Sequence, residues 1–271
     1  MNYIPTDEDV AFYQENGYWI SPKLFSDEEV ALFREHHLRV IQGEYETNRP
    51  PLSRSQPPEA PLDSLIKIDN SYYCDAHLAQ LVLSARIGHI AARLSQSKGI
   101  RLWHDQLLYK PPQNETATAV GWHQDHHYWQ CAEPAELLTA WIALCDVTEE
   151  NGCMEVVPKS HKWGLVEGSD FFSQDLETLQ HNIEASTGKK METVSCPLPA
   201  GAVSFHHCRT VHGSRPNMSD QPRISMVAHL QPDGTYYKAN TNSEGHSNVR
   251  LLSGKDGDAY NNYYFPMLWQ E

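Results

Sequence analysis

The sequence predicts a mainly β fold: a double-sheet jelly roll with helices on its N-terminal side. Three observations carry that expectation. Residues 6–16, 26–41 and 75–96 read as helices from their capping signals and apolar spacing. From about residue 100 the pattern changes to short runs rich in β-formers, punctuated by Pro111-Pro112 and Asn151-Gly152. Helices therefore come first and antiparallel-looking strands follow, the order of a layered β fold with helical props.

Taken in order, Thr6 or Asp7 opens a helix over 6–16, acids fill its first turn, and Gly17 stands just past its end. Tyr18-Trp19-Ile20 reads as a short strand. Ser26, with Glu29 three places on, forms a capping box before a helix whose apolar side is Val30, Leu32, Phe33, Leu38 and Ile41. Pro50, Pro51, Pro57, Pro58 and Pro61 make 48–62 a loop, either a surface connection or a lid over a pocket mouth. Helical spacing returns over 75–96 through Leu78, Leu81, Val82, Ile87, Ile90 and Leu94. Strands are expected over 102–109, 138–147, 154–157, 194–197, 202–206, 210–212 and 223–231. The polar stretch 164–193 reads as an insertion with a helix over 175–183. Tyr260, Tyr263, Tyr264, Phe265 and Trp269 give an aromatic tail suited to core packing or a dimer contact. With no internal repeat, low-complexity tract or linker, one domain is expected over 1–271. Its helical support covers roughly 1–98, its jelly-roll core 100–232 and its tail 233–271.

Composition narrows the function. Hydrophobic residues at 40% and charged residues at 21% describe an ordinary globular chain. A formal net charge of −14 argues against nucleic acid and anionic membranes as partners. There is no apolar run long enough to span a bilayer, and the acidic opening MNYIPTDEDV lacks the order of a secretory signal. Six cysteines without a C-x-x-C pair read as free, buried thiols in a reducing compartment. A cytoplasmic protein acting on a small molecule, as a monomer or homodimer, is the expectation.

The chemistry centres on Gly121–Trp129, GWHQDHHYW. On extended backbone His123 and Asp125 would leave the same face, because strand side chains alternate. Two ligands are part of a metal site and need a third from elsewhere. His212, in Thr210-Val211-His212-Gly213-Ser214, is the best candidate, and Arg223 follows it. Two imidazoles and one carboxylate with open positions suit a non-haem Fe(II) oxygenase. The remaining histidines take a structural reading, His126, His127, His206 and His207 among them, while His104 and Tyr109 are candidates for the pocket wall.

Beyond the single motif, a set of residues in order resembles the phytanoyl-CoA dioxygenase family. These are Gly121-Trp122-His123-Gln124-Asp125, Thr139-Ala140-Trp141-Ile142-Ala143-Leu144, Asn151-Gly152-Cys153-Met154, Pro158-Lys159-Ser160-His161, His212-Gly213-Ser214, Pro216-Asn217 and Arg223. The resemblance runs from the N-terminal helices to about Gln231 and departs at Lys159, where the family usually has Gly. It implies a double-stranded β-helix of cupin-like type using Fe(II), with 2-oxoglutarate and O₂ as co-substrates. It makes His123, Asp125 and His212 the catalytic iron ligands and Arg223 the partner of the distal 2-oxoglutarate carboxylate. Ser214 would join that grip, Gln106 would meet the C1 carboxylate end, and Trp141 would stand beside the co-substrate. Asp125 fills the place a halide takes in related halogenases, so halogenation is not expected. The implied reaction is hydroxylation of a C–H bond with release of succinate and CO₂. Desaturation, cyclisation or epimerisation at the same iron is the alternative, followed by a non-catalytic jelly-roll binding protein. A zinc hydrolase is disfavoured because no general base stands out beside the metal.

Overall fold

Both N-terminal helices begin where the sequence supplies a capping box. In α1 (Asp7–Asn16) the Thr6 hydroxyl accepts from the Asp9 N–H while the Asp9 carboxylate accepts from the Thr6 N–H. Ser26 and Glu29 do the same for α2 (Asp27–Ile41). Gly17, at φ 78°, ends α1 and turns the chain into β1 (Tyr18–Ile20). This computed structural model describes residues 3–113, 118–252 and 254–271. The proline-rich loop contains a short β2 (Ser53–Arg54), which pairs with β3 (Ile66–Asp69). The helical stretch over 75–96 is two helices, α3 (Ala76–Val82) and α4 (Ala85–Ser95). Ser84 between them has ψ 119°, outside the helical region, and opens the second helix.

The β region follows as β4 (Gly99–Lys110), β5 (Val120–His123), β6 (Ala132–Glu133), β7 (Leu138–Ala143) and β8 (Met154–Val156). After α5 (Leu176–Thr187) come β9 (Val194–Cys196), β10 (Val203–His207), β11 (His212–Ser214), β12 (Arg223–Pro232), β13 (Tyr236–Tyr237) and β14 (Met267–Gln270). One eight-stranded sheet has the order β1-β10-β7-β12-β4-β3-β2, with β14 also on β4. A four-stranded sheet runs β5-β11-β8-β9, and β13 pairs with β6. The named pairings are antiparallel, which gives the expected jelly roll of two sheets.

Alternation along the large sheet separates two environments. Phe205, Met226, Leu107 and Ile142 join Leu78, Ile87 and Ile90 of the helices in the main core. Each fully buried side chain of this kind contributes about 1.5–3 kcal/mol. The opposite face carries His206, Thr139, His229 and His104 at matched register positions on β10, β7, β12 and β4. That polar row lies beneath the small sheet.

The aromatic tail is core: Tyr260 and Phe265 pack with Trp103, while β14 hydrogen-bonds along β4. Tyr263, by contrast, is exposed. Lys159 adopts φ 68°, a left-handed conformation that glycine takes without strain, which accounts for the glycine usual at this place and not for the lysine here. Gly121 matters for another reason. A side chain there would run into the Asp170 carbonyl, and the Gly121 N–H instead donates to Phe171 O at 3.0 Å. The segment leading into α5 is therefore strapped across β5. The six cysteines are unpaired, as expected.

Candidate metal centre

Strands β5 and β11 run antiparallel with His123 directly opposite His212. Their ring centroids are 4.1 Å apart. The chain stays extended at Gln124 and then enters a 3₁₀ turn over Asp125–His127. Asp125 thus reaches its place through a tight turn at the strand end, not through strand alternation as the sequence suggested. Its Oδ1 lies 3.6 Å from His123 Nε2 and 3.8 Å from His212 Nε2. One ligand atom from each of the three buried residues falls within 4.8 Å of the others.

Backbone carbonyls decide the tautomers. His123 Nδ1 is 2.8 Å from Gly121 O, and His212 Nδ1 is 2.9 Å from Thr210 O. A carbonyl only accepts, so both Nδ1 atoms carry the proton and both Nε2 atoms present a lone pair. Two lone pairs and a carboxylate oxygen then face one point. Burial, then the neighbouring His123 and His206, hold His212 well below the ordinary imidazole value, so it stays neutral. Burial acts against the Asp125 carboxylate, but the imidazoles of His212, His123 and His206 outweigh it and keep its pKa well below the usual range. Acceptors converging in a buried site need a cation between them. Two imidazole nitrogens and one carboxylate oxygen are the donor set of a ferrous site, so iron fits these residues.

The second carboxylate oxygen is tied back. Thr139 Oγ1 donates to Asp125 Oδ2 at 2.7 Å, and His206 Nε2 lies 3.3 Å from the same atom. With its one proton committed, Thr139 accepts from His229 Nδ1 at 2.8 Å. Asp125 is thereby presented through Oδ1 alone. His206, given a structural reading in the sequence, contacts Asp125, and its ring centroid lies 4.3 Å from that of His212 at a tilt. Its signal was alternation, since Phe205 faces the core and His206 must face away. His207 remains remote, beside Glu136.

A small cavity is lined by all seven residues singled out in the sequence: His123, Asp125, His212, Arg223, Ser214, Gln106 and Trp141. Arg223 is 2% exposed, lies 5.3 Å over the Trp141 ring and donates from Nη1 to Gly152 O. Its Nε has no partner, and among the described residues no carboxylate pairs with it. Burial lowers its pKa to about 10, which leaves it cationic at neutral pH. Sequence reasoning missed Lys110, which pairs with Arg223 in register and is fully buried. Its Nζ donates to Ser214 Oγ at 2.7 Å and to Arg215 O at 2.6 Å. Burial first, and then Arg223, push this amine well below its ordinary value. Arg223, buried without a carboxylate partner, offers a site for an anion, and Lys110 backs it through Ser214. Lys110 shares a strand face with Gln106, and that spacing was its only sequence signal. Tyr109, one residue away, packs into the main core and is not a wall residue.

A larger cavity, about 290 Å³, adjoins the first. Gln106, His123, Asp125 and Phe171 line both. Phe171 comes from the 164–193 stretch and sits 5.0 Å from the His123 ring, centroid to centroid. Ser53, from the proline-rich loop, also reaches this second cavity, and so does His104.

A family model described as phytanoyl-CoA dioxygenase matches residues 13–225. The human peroxisomal phytanoyl-CoA dioxygenase is 24% identical over 243 residues, 87% of this chain and 71% of that protein. A probable alpha-ketoglutarate-dependent hypophosphite dioxygenase of Stutzerimonas stutzeri is 30% identical over 235 residues, 82% of this chain and 77% of its own. Among solved structures, the non-heme alpha ketoglutarate dependent carbocyclase SnoK from nogalamycin biosynthesis superposes with a TM-score of 0.75. It is 29% identical and covers 97% of this chain and 96% of its own.

Proposed function

The chain belongs to the phytanoyl-CoA dioxygenase family, and from that premise we propose that His123, Asp125 and His212 hold the ferrous ion while Arg223 grips 2-oxoglutarate. The protein is a 2-oxoglutarate-dependent non-haem iron dioxygenase. Bound Fe(II) supplies the activation of O₂ and the decarboxylation of the keto-acid. The observation that carries the residue assignment is the convergence of two Nε2 lone pairs and Asp125 Oδ1 in the cavity that holds the unpaired Arg223.

The chain's own residues bind, orient and exclude water. Gly121 O and Thr210 O fix the two imidazoles by accepting their Nδ1 protons. Thr139 and His206 turn Asp125 Oδ2 away from the ion. The Arg223 guanidinium takes the distal carboxylate through paired hydrogen bonds, with Lys110 and Ser214 beside it. Gln106 meets the C1 end and Trp141 backs the guanidinium. The reaction balances: the substrate C–H and 2-oxoglutarate each give up two electrons, and O₂ takes all four. One oxygen atom goes to the alcohol and one to succinate, with CO₂ released. A second outcome, ring closure, is favoured by the likeness to a carbocyclase. There the substrate loses two hydrogens and water takes the oxygen.

The partner is a small organic molecule, in keeping with a net charge of −14 that disfavours nucleic acid. Among the described residues no helix is long and apolar enough to cross a membrane. Six free, mostly buried cysteines support a reducing, cytoplasmic setting. The whole chain acts as one unit, since the C-terminal β14 joins the sheet that begins with β1.

Purified protein given Fe(II), 2-oxoglutarate and O₂ should release succinate and CO₂ in equal amounts, more so with substrate. Asp125→Ala and His212→Ala should be silent. Unchanged succinate release from both variants would refute the ligand assignment. Product mass separates the outcomes, one oxygen gained for hydroxylation against two hydrogens lost for ring closure.

A further inference from the structure

The two adjoining cavities differ in what they can hold. Arg223, Ser214 and Trp141 line only the smaller one, where the keto-acid is placed. His104, Tyr128, Trp129, Phe172 and His246 line only the larger one. Because Gln106, His123, Asp125 and Phe171 border both, an occupant of the larger chamber lies against the metal centre.

Resting on the metal-centre reading above, we propose that this larger chamber holds the oxidised substrate. We infer that the substrate is an uncharged molecule with a flat ring system and polar edge groups, and is not an acyl-coenzyme A.

Charge comes first. Apart from Asp125, the ionisable pair on the wall is Lys67 and Asp69, and these neutralise each other: Lys67 Nζ lies 2.6 and 2.8 Å from the two Asp69 oxygens. No arginine lines the chamber among the described residues. Nor do the imidazoles supply positive charge. Burial holds His246 at about 4 and His104 well below its ordinary value. A coenzyme A thioester brings several phosphate charges, and among the described residues lining the chamber no free cation faces them.

The walls come second. Tyr128, Trp129, Phe171 and Phe172 supply four aromatic faces within one chamber. Phe171 and Phe172 meet edge to face at 5.0 Å, and Phe172 is 69% exposed at the rim. Rings of this kind gain most from a planar partner that stacks in offset or edge-on contact.

The polar points come last. His104 Nδ1 is buried and has no hydrogen-bond partner. The Gln106 amide makes only a 3.5 Å contact to His104 Nε2. Ser247 adds a hydroxyl, while that of Ser53 already donates to Asp69 Oδ2 at 2.6 Å. A bare alkyl chain would leave His104, Gln106 and Ser247 without a good partner, whereas carbonyls or hydroxyls on a ring edge satisfy them. The volume, about 290 Å³, lies at the lower end of the range for small-ligand sites.

The test uses the full chain loaded with Fe(II) and 2-oxoglutarate under nitrogen. Equilibrium dialysis compares 2-(hydroxymethyl)anthraquinone with decanoyl-coenzyme A. The quinone should bind at least about tenfold more tightly than the thioester, as stacking without a cation requires. Phe172→Ala and Trp129→Ala should each weaken the quinone about fivefold or more, with a cooperative thermal transition retained. Phe172 is exposed, so its variant folds whatever becomes of Trp129. Equal or tighter binding of the thioester overturns the proposal, as does no binding of either probe or a Phe172→Ala affinity equal to the parent. Failure of the metal reading shows differently, as a missing charge-transfer band in protein that still binds the quinone.

Discussion

Replacing Thr139 with Val keeps a β-branched side chain of the same shape but deletes one hydroxyl. That hydroxyl donates to Asp125 Oδ2 at 2.7 Å and accepts from His229 Nδ1 at 2.8 Å. A hydrogen bond to an ionised group contributes about 1.5–3 kcal/mol. Without it, only His206, at 3.3 Å, holds Oδ2, and the carboxylate can rotate both oxygens toward the ion. Loss of such a supporting partner lowers metal affinity by about 10–100-fold. At about 1.4 kcal/mol per decade, that range agrees with the hydrogen-bond value. The thermal midpoint of the metal-free protein should fall by about 3–12 °C, taking about 2–4 °C per kcal/mol for a chain of this size. Cobalt(II) titration, followed by its visible absorption, measures the affinity, and Thr139→Ser is the control because it restores the hydroxyl. Serine should stay within about threefold of the parent on the same scale. A valine variant that binds cobalt as tightly as serine would show that Asp125 is positioned by its own turn and not by Thr139.

Further outcomes follow from the same geometry. Arg223→Ala should raise the 2-oxoglutarate KM by about 30-fold or more while leaving the substrate KM nearly unmoved, since a paired charged contact is lost only from the keto-acid. If both constants rise together, Arg223 is structural. Lys110→Met removes the second buried basic group and should weaken 2-oxoglutarate about tenfold in the same assay; an unchanged constant would leave Arg223 as the sole grip. Acid should destabilise the fold early. Burial depresses His37, His161 and His246 to about 4 each, below their unfolded value. The unfolded chain therefore binds more protons between about pH 6.5 and 4, so stability is fully present above that window and is lost as pH falls through it. Asp105, raised by burial to about 7, works in the opposite sense, but it is one group against three. A thermal midpoint that stays constant from pH 7 down to 5 would contradict this.

The sequence made much of the site legible because the motifs carry their own geometry. His123 and Asp125 flag each other at short range, and a basic residue downstream of His212 has an obvious use. Both capping boxes were readable for the same reason: Thr6–Asp9 and Ser26–Glu29 are local, three residues apart. What could not be read depends on register between distant strands. The row His104, His229, Thr139 and His206 exists only because β4, β12, β7 and β10 pair as they do. Lys110 looked like the last residue of a strand before prolines, and only its match with Arg223 gives it a role. The division of 75–96 into two helices escaped notice because Ser84 is an ordinary helix residue until its backbone turns extended. The tail, too, looked peripheral until β14 was found along β4.

Everything here converges on two imidazoles and a carboxylate holding one ferrous ion beside a keto-acid that Arg223 grips. Anaerobic addition of Fe(II) and 2-oxoglutarate to the parent protein, read by visible absorption, tests this most directly. A weak charge-transfer band should appear, saturate at one ion per chain, and vanish in His212→Ala. No band at saturating ligand, or an undiminished band in that variant, would contradict the account.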